Sequence, residues 1–293
     1  MDVRERLLAA LPVAERRLQL GHVSTAVLEG GSGSPVVLLH GPGGYAAHWL
    51  HVIPSLVATY RVIAPDLPGH GASGALDDPF DPGGMLPWLD NLLERTCMSP
   101  PALVGQTLGG AIAARFASER GTRLRALALV DALGLTAFTP TVDFGQALSD
   151  FITEPNEDTH DRLWRYCAFD PDMVRGRMGE QWTWLKAYNV ECARAPNLRA
   201  TQQSLMEQYG MPAIPSEDLA RISVPTSLIW GRHDLATALS VAQAASSRYG
   251  WPLHVLEACG DDPPVEQPEA FVKALHAVLG TPIRQQFTAS RRF

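Results

Sequence analysis

The stretch Gly105-Gln106-Thr107-Leu108-Gly109-Gly110 lies between a short apolar run, Leu103-Val104, and a run of helical character, Ala111-Ile112-Ala113-Ala114-Arg115-Phe116-Ala117. A chain that leaves a buried strand and enters a helix at once must turn sharply. Glycines two positions before and two after the apex suit such a turn, because larger residues would collide there. The apex residue here is Thr107.

The rest of the chain supplies the setting for that turn. Short apolar runs alternate with helical patterns, which predicts a largely parallel sheet covered on both faces. Two early segments, Glu15-Leu20 and His22-Leu28, read as an antiparallel hairpin turning at Gly21. The buried strands are expected at Pro35-Leu39, Arg61-Ala64, Ala102-Val104, Leu124-Val130, Thr226-Trp230 and Leu253-Leu256. Helices fit between them at Ala46-Ala58, Met85-Cys97, Leu108-Arg120, Leu239-Tyr249 and Val265-Leu279. Between Asp131 and Val224 the strand rhythm stops, and the segment is too long for a loop in a compact domain. We read 136–219 as a helical cap inserted into a sheet domain made of 1–135 and 220–293. Arg284 to Phe293 reads as a polar tail.

Composition narrows the partners. With 293 residues one large domain and an insertion account for the length, and no disulfide staple is required. A formal charge of -7 without a basic run argues against nucleic acid or an anionic membrane as partner, and favours a small molecule. Met1 to Leu20 lacks the long uncharged core of a signal peptide or spanning helix, so the expected compartment is the cytoplasm. Cys97, Cys167, Cys192 and Cys259 are widely spaced and read as free thiols. No residue spacing calls for a cofactor or a metal; a divalent cation between acidic loops is the less favoured alternative.

Four further segments, together with the Thr107 turn, resemble the α/β-hydrolase superfamily over nearly the whole chain. His40-Gly41-Pro42-Gly43-Gly44 resembles the family's oxyanion loop. Pro65-Asp66-Leu67-Pro68-Gly69-His70-Gly71-Ala72-Ser73 is similar to a characteristic family turn. Gly231-Arg232-His233-Asp234 resembles the loop of the catalytic acid, and Gly260-Asp261-Asp262-Pro263-Pro264-Val265-Glu266-Gln267-Pro268 the loop of the catalytic histidine. The resemblance implies a mostly parallel, eight-stranded sheet flanked by helices with an inserted cap. It also implies that Thr107, Asp234 and Asp261 converge, with Thr for the usual serine and Asp for the usual histidine. Leu108, Gly41, Pro42, Gly43 and Gln106 would then surround the oxyanion, and His48, Trp164, Trp182 and Trp184 are candidates for the pocket wall.

Those two replacements shape the functional expectation. In the family mechanism a histidine takes the nucleophile's proton and returns it to the leaving group. A carboxyl with an ordinary pKa of about 3.9 is a poor base toward an alcohol at neutral pH. The methyl of threonine crowds its oxygen, and β-branching suits the strained apex less well than serine does. Pro42 has no N–H at a position that often donates to the oxyanion, although Gly43 can serve instead. Two carboxyls at short range cannot both ionise cheaply, so Asp234 and Asp261 would form an acid–base pair. Alternatively, Asp261 turns to solvent or caps the helix near Val265. The leading expectation is an enzyme that acts on a small, mostly apolar carbonyl compound by cyclisation, elimination, isomerisation or addition, as in natural-product biosynthesis. A weak or atypical ester, lactone or C–C hydrolase, using Thr107 or a directly activated water, is the second. A non-catalytic binder is the third.

Overall fold

The computed structural model describes residues 1–74 and 82–280. Its centre is one eight-stranded sheet. In chain order the strands are β1 (Ala14–Leu20), β2 (Val23–Gly30), β3 (Pro35–Leu39), β4 (Arg61–Pro65), β5 (Ala102–Gln106), β6 (Ala126–Val130), β7 (Thr226–Gly231) and β8 (Leu253–Leu256). They lie side by side as β1-β2-β4-β3-β5-β6-β7-β8. β1 pairs antiparallel with β2, and β2 with β4; every later pairing is parallel.

The helices follow from the sequence periods with a few differences. They are α1 (Val3–Leu8), α2 (Ile53–Val57), α3 (Met85–Thr96), α4 (Leu108–Arg120), α5 (Val142–Thr153), α6 (Glu157–Cys167), α7 (Pro171–Met178), α8 (Glu180–Arg194), α9 (Pro196–Leu205), α10 (Ser216–Ala220), α11 (Leu239–Tyr249), α12 (Pro263–Glu266) and α13 (Pro268–Leu279). The helix expected over 46–58 divides into a 3-10 turn, Ala46–Trp49, and α2, with Pro54 in the first turn of α2. The one expected over 265–279 divides at Pro268, which cannot donate to a preceding turn and instead begins α13. β6 starts at Ala126 rather than Leu124 because a 3-10 turn, Gly121–Arg123, is closed by the Leu124 N–H. α1 lacks an apolar period long enough to be read in advance; Asp2 and Glu5 form a capping box around it. The expected polar tail, 284–293, lies outside the described residues.

Apolar side chains fill both faces of the sheet. One layer packs α3, α4 and α11 residues such as Trp88, Phe116 and Ala242 against Leu39, Leu103 and Leu129. The opposite layer packs Trp49, Ile53, Phe271 and Leu275 against Leu38, Val104 and Val130. α5 to α10 occupy the chain between β6 and β7. A third cluster joins this insertion to the sheet: Trp164, Trp182, Leu185 and Tyr188 meet Tyr45, Leu50 and Val265. No helix among the described residues is long and apolar enough to cross a membrane.

Candidate active site

The turn between β5 and α4 is built as tightly as its glycines require. A Cβ on Gly105 would lie 2.3 Å from the Gly109 carbonyl oxygen, and one on Gly109 2.5 Å from that of Leu39. Thr107 at the apex has φ 44 and ψ -108, a region that costs a β-branched residue about 1–3 kcal/mol. The strain is held by main-chain bonds. The Thr107 N–H donates to Val130 O at 2.9 Å, and its carbonyl accepts from Leu133 N at 3.1 Å and Ala111 N at 3.0 Å.

The Thr107 hydroxyl is buried and has no hydrogen-bond partner among the described residues. It points towards the loop after β3, where a Cβ on Gly41 would come within 2.3 Å of Oγ1. In that loop the Gly44 N–H closes a turn onto Gly41 O at 3.2 Å. Pro42 has no N–H, and Gly43 follows it with a φ of 66 that suits glycine. Leu108 begins α4, and first-turn amides have no intrahelical acceptor.

Three carboxyls gather beyond the ends of β6, β7 and β8. Asp234 is 4% exposed; its Oδ1 accepts from Ala236 N and Thr237 N, both at 2.7 Å, and its Oδ2 from Thr237 Oγ1 at 2.6 Å. The same Thr237 hydroxyl reaches Asp131 O at 3.1 Å. Asp131 is fully buried, with φ 41, and accepts from Gly231 N at 2.9 Å through Oδ1. Its Oδ2 meets no protein donor, and the charges of the Asp131 and Asp234 carboxyls are felt by one another. Asp261 is partly buried and feels the charge of Asp234 and of Asp262.

The electrostatics follow from this crowding. Burial, and then the Asp234 charge, lift the Asp131 carboxyl well above the ordinary range. Burial raises Asp234 to about 6, against the pull of its Thr237 and Ala236 donors. Asp261 is raised well above the usual carboxylate range, first by loss of water and then by Asp234, Asp262 and Glu266. A carboxyl raised in this way can hold a proton or act as a base near neutrality.

Asp261 sits on a pinned loop. Its N–H donates to Cys167 O at 2.9 Å, and its carbonyl accepts from Gln106 Nε2 at 3.2 Å. Glu266 Oε1 accepts from Gly260 N at 2.8 Å and Asp262 N at 3.2 Å, while burial pushes the Glu266 carboxyl up to about 7. The helix that follows is capped by position 262, whose side chain makes no capping bond. Asp262 instead accepts from Gln106 Nε2 at 3.1 Å and pairs with His48 Nε2 at 2.6 Å. Gln106 therefore holds the Asp261 loop.

The remaining histidines have other partners. His40 Nδ1 donates to Gly41 O at 2.8 Å and its Nε2 accepts from Leu67 N at 2.9 Å, so the buried ring is neutral and its pKa lies well below the ordinary value. His70 donates to Pro68 O at 2.9 Å, and burial lowers it to about 4. His233 stacks on Phe169 with ring centroids 4.3 Å apart. Trp164 and Trp182 pack edge to face at 4.7 Å in the cluster that ties the insertion to the sheet, with Trp184 at its margin. Two surface depressions, one of about 370 Å³ beside Asp150 and Arg162 and one of about 220 Å³ beside Cys97 and Pro101, include none of the site residues. Among the described residues no His, Cys, Asp and Glu group is arranged to hold a metal ion. Asp131, Asp262 and Glu266 are the participants that sequence reasoning did not assign.

The sequence profile of the α/β hydrolase family matches residues 36–274. The chain belongs to the α/β hydrolase family. Among curated relatives it is 28% identical over 280 residues to the 2-hydroxy-6-oxo-2,4-heptadienoate hydrolase of Pseudomonas putida, covering 90% of this chain and 95% of that one. It is 26% identical over 278 residues to the 2-hydroxy-6-oxo-6-(2'-aminophenyl)hexa-2,4-dienoic acid hydrolase of Metapseudomonas resinovorans, covering 90% of each. Among solved structures it superposes on the 2-hydroxy-6-oxo-6-phenylhexa-2,4-dienoate hydrolase of Rhodococcus sp. strain RHA1 with a TM-score of 0.80 at 25% identity, covering 91% of this chain and 98% of that one. These relatives overturn the leading expectation of a non-hydrolytic cyclisation, elimination, isomerisation or addition enzyme of natural-product biosynthesis. Similarity over the full fold runs to hydrolases, and the presence of Thr107 and Asp261 does not outweigh it.

Proposed function

We propose that this α/β hydrolase family member hydrolyses a small, mostly apolar carbonyl compound, at a C–C or ester bond next to the carbonyl, with a directly activated water. In this reading Thr107, Asp234 and Asp261 form an altered triad, 136–219 is the cap, and the protein works in the cytoplasm. The observation that carries it is the buried Thr107 hydroxyl, which has no hydrogen-bond partner among the described residues, together with a raised carboxyl at the position where the family pattern has histidine.

The chemistry balances without a covalent intermediate. Water adds to the carbonyl carbon and gives a proton to the Asp261 carboxylate, while the carbonyl electron pair moves to oxygen. The N–H groups of Leu108 and Gly43 receive that oxyanion. When the intermediate collapses, the leaving carbon or alkoxide takes the proton from Asp261, and a carboxylic acid is released. Asp234, anchored by Thr237, keeps the Asp261 carboxyl raised enough to act in both directions. A 2-hydroxy-6-oxo-2,4-dienoic acid such as those in the relatives' names suits a carboxyl acid–base group, because once its enol ketonises with protonation at C5 that carbon leaves as a conjugated dienolate.

The test is turnover. Purified protein is given 2-hydroxy-6-oxo-6-phenylhexa-2,4-dienoate and, separately, a 4-nitrophenyl ester, with loss of dienoate absorbance or release of nitrophenolate followed. Turnover of either supports the reading. Binding of both without turnover would instead make the protein a small-molecule binder.

A further inference from the structure

His48, Asp262 and Gln106 come from three separate elements. His48 lies in the 3-10 turn after the oxyanion loop, Gln106 directly precedes Thr107, and Asp262 directly follows Asp261. The three elements are those that supply the oxyanion donor, the apex and the proposed base. Their side chains meet at one point: Asp262 Oδ2 accepts from His48 Nε2–H at 2.6 Å, and Asp262 Oδ1 accepts from Gln106 Nε2–H at 3.1 Å. The second Gln106 amide proton goes to the Asp261 carbonyl at 3.2 Å. Asp262 is 5% exposed, so water cannot replace a lost partner cheaply.

We infer that His48 is a positioning residue for Asp261: through Asp262 and Gln106 it fixes the loop bearing the base against the turn bearing Thr107. This rests on the hydrolytic reading for its effect on rate, but the positioning itself does not. The charge state fits the role, since burial pulls the ring's pKa down and the Asp262 carboxylate more than offsets it, leaving His48 raised. The neighbouring titratable groups do not compete for Asp262. His51 is lowered to about 4 by burial and by Arg177, His40 is held neutral, and Arg177 donates to the Glu266 carbonyl at 2.7 Å and to that of Val265. Tyr45 meets the His48 ring edge-on with centroids 5.9 Å apart, and its burial keeps the phenol protonated. Glu266 is engaged by the amides of Gly260, Asp262 and Phe169.

The test compares His48→Leu, which cannot donate to Asp262, with His48→Gln, which can. Two quantities are followed: hydrogen exchange of the Gly260, Asp261 and Asp262 amides, and kcat with KM on the substrate that the wild type turns over. Misplacement of a reacting group by about 1 Å costs on the order of 100-fold in rate, so His48→Leu should lose about that in kcat with little change in KM. Its loop amides should exchange about tenfold faster or more, and His48→Gln should recover most of both losses. A far-downfield exchangeable proton from the short His48–Asp262 bond should be present in the wild type and absent from both variants. Unchanged loop exchange and unchanged kcat in His48→Leu overturn the inference, as does faster exchange spread evenly over the whole protein. If His48→Leu does not fold, Asp262→Asn replaces it and must show the same loop-confined exchange. Failure of the wild type to turn over substrate counts against the hydrolytic reading alone, because loop exchange still reports on positioning.

Discussion

Thr107 and Asp131 stand opposite one another, each one residue beyond its strand, and both have a left-handed backbone, with φ 44 and φ 41. They are the two non-glycine residues of positive φ among the described residues. Such strain persists where surrounding bonds over-determine it, and here the Thr107 N–H to Val130 O bond ties one turn to the other.

Asp131 should make the fold pH-sensitive. Its carboxyl is raised in the folded state, so its contribution to stability is full below the ordinary carboxylate pKa and is lost as pH rises through the folded value. Asp234, at about 6, and Glu266, at about 7, act in the same direction. His51 and His70, both lowered, oppose this only below their ordinary value of 6.5, and the raised His48 adds to the loss above it. The melting temperature should fall from pH ~6.5 to ~8.5. Asn tolerates a left-handed backbone, so Asp131→Asn should keep the fold while flattening that slope by up to one proton, about 1.4 kcal/mol per pH unit. Superimposable slopes for the two proteins would show that the Asp131 carboxyl does not titrate in that window.

Asp234→Asn tests the charge that keeps Asp261 raised. The amide can still accept from Ala236 and Thr237, but it carries no charge. The Asp261 pKa should then drop, because one of its raising influences is gone. A base works when deprotonated, so the acidic limb of the pH–rate profile should move to lower pH, by about one unit. A limb that stays in place would separate Asp234 from Asp261.

The contact between Gly41 and the Thr107 hydroxyl predicts a rescue. Gly41→Ala puts a methyl against Oγ1 and should cost about 1–3 kcal/mol in a denaturant titration. Thr107→Ala removes the hydroxyl, so the same change in that background should cost well under half as much. Equal costs in both backgrounds would mean that the methyl strains something else.

Much of this arrangement is legible in the sequence. Gly105, Gly109 and Gly110 announce the turn because their missing Cβ atoms are what the packing demands. The apolar runs give all eight strands, and Pro268 and Pro54 mark where two expected helices break. The Asp131 and Asp262 carboxyls were not legible as parts of the site. Each lies just past a strand or a glycine, and its partners, Gly231, Asp234, Gln106 and His48, are 100, 103, 156 and 214 residues away in number or are found only through the fold. The contact of the Gln106 side chain with the Asp261 loop was illegible for the same reason. Thr107 and Asp261 alone do not give the reaction class, because the non-hydrolytic chemistry they point to is overturned by full-length similarity to hydrolases.

Restoring the family's side chains should restore its covalent chemistry. The double variant Thr107→Ser with Asp261→His should become reactive with a serine-directed fluorophosphonate, because the apex, Leu108 N–H and Asp234 are in place. Labelling of Ser at 107, read by intact mass, is the expected result. An unlabelled double variant would indicate that Asp234 cannot orient an imidazole there.

The most direct test of water activation is a comparison of Thr107→Ala and Asp261→Asn in kcat/KM on one substrate. The account predicts that Thr107→Ala stays within about threefold of the wild type while Asp261→Asn falls by about 10³-fold. The reverse pattern, with activity lost at Thr107 and kept at Asp261, would contradict it and make the threonine hydroxyl the nucleophile.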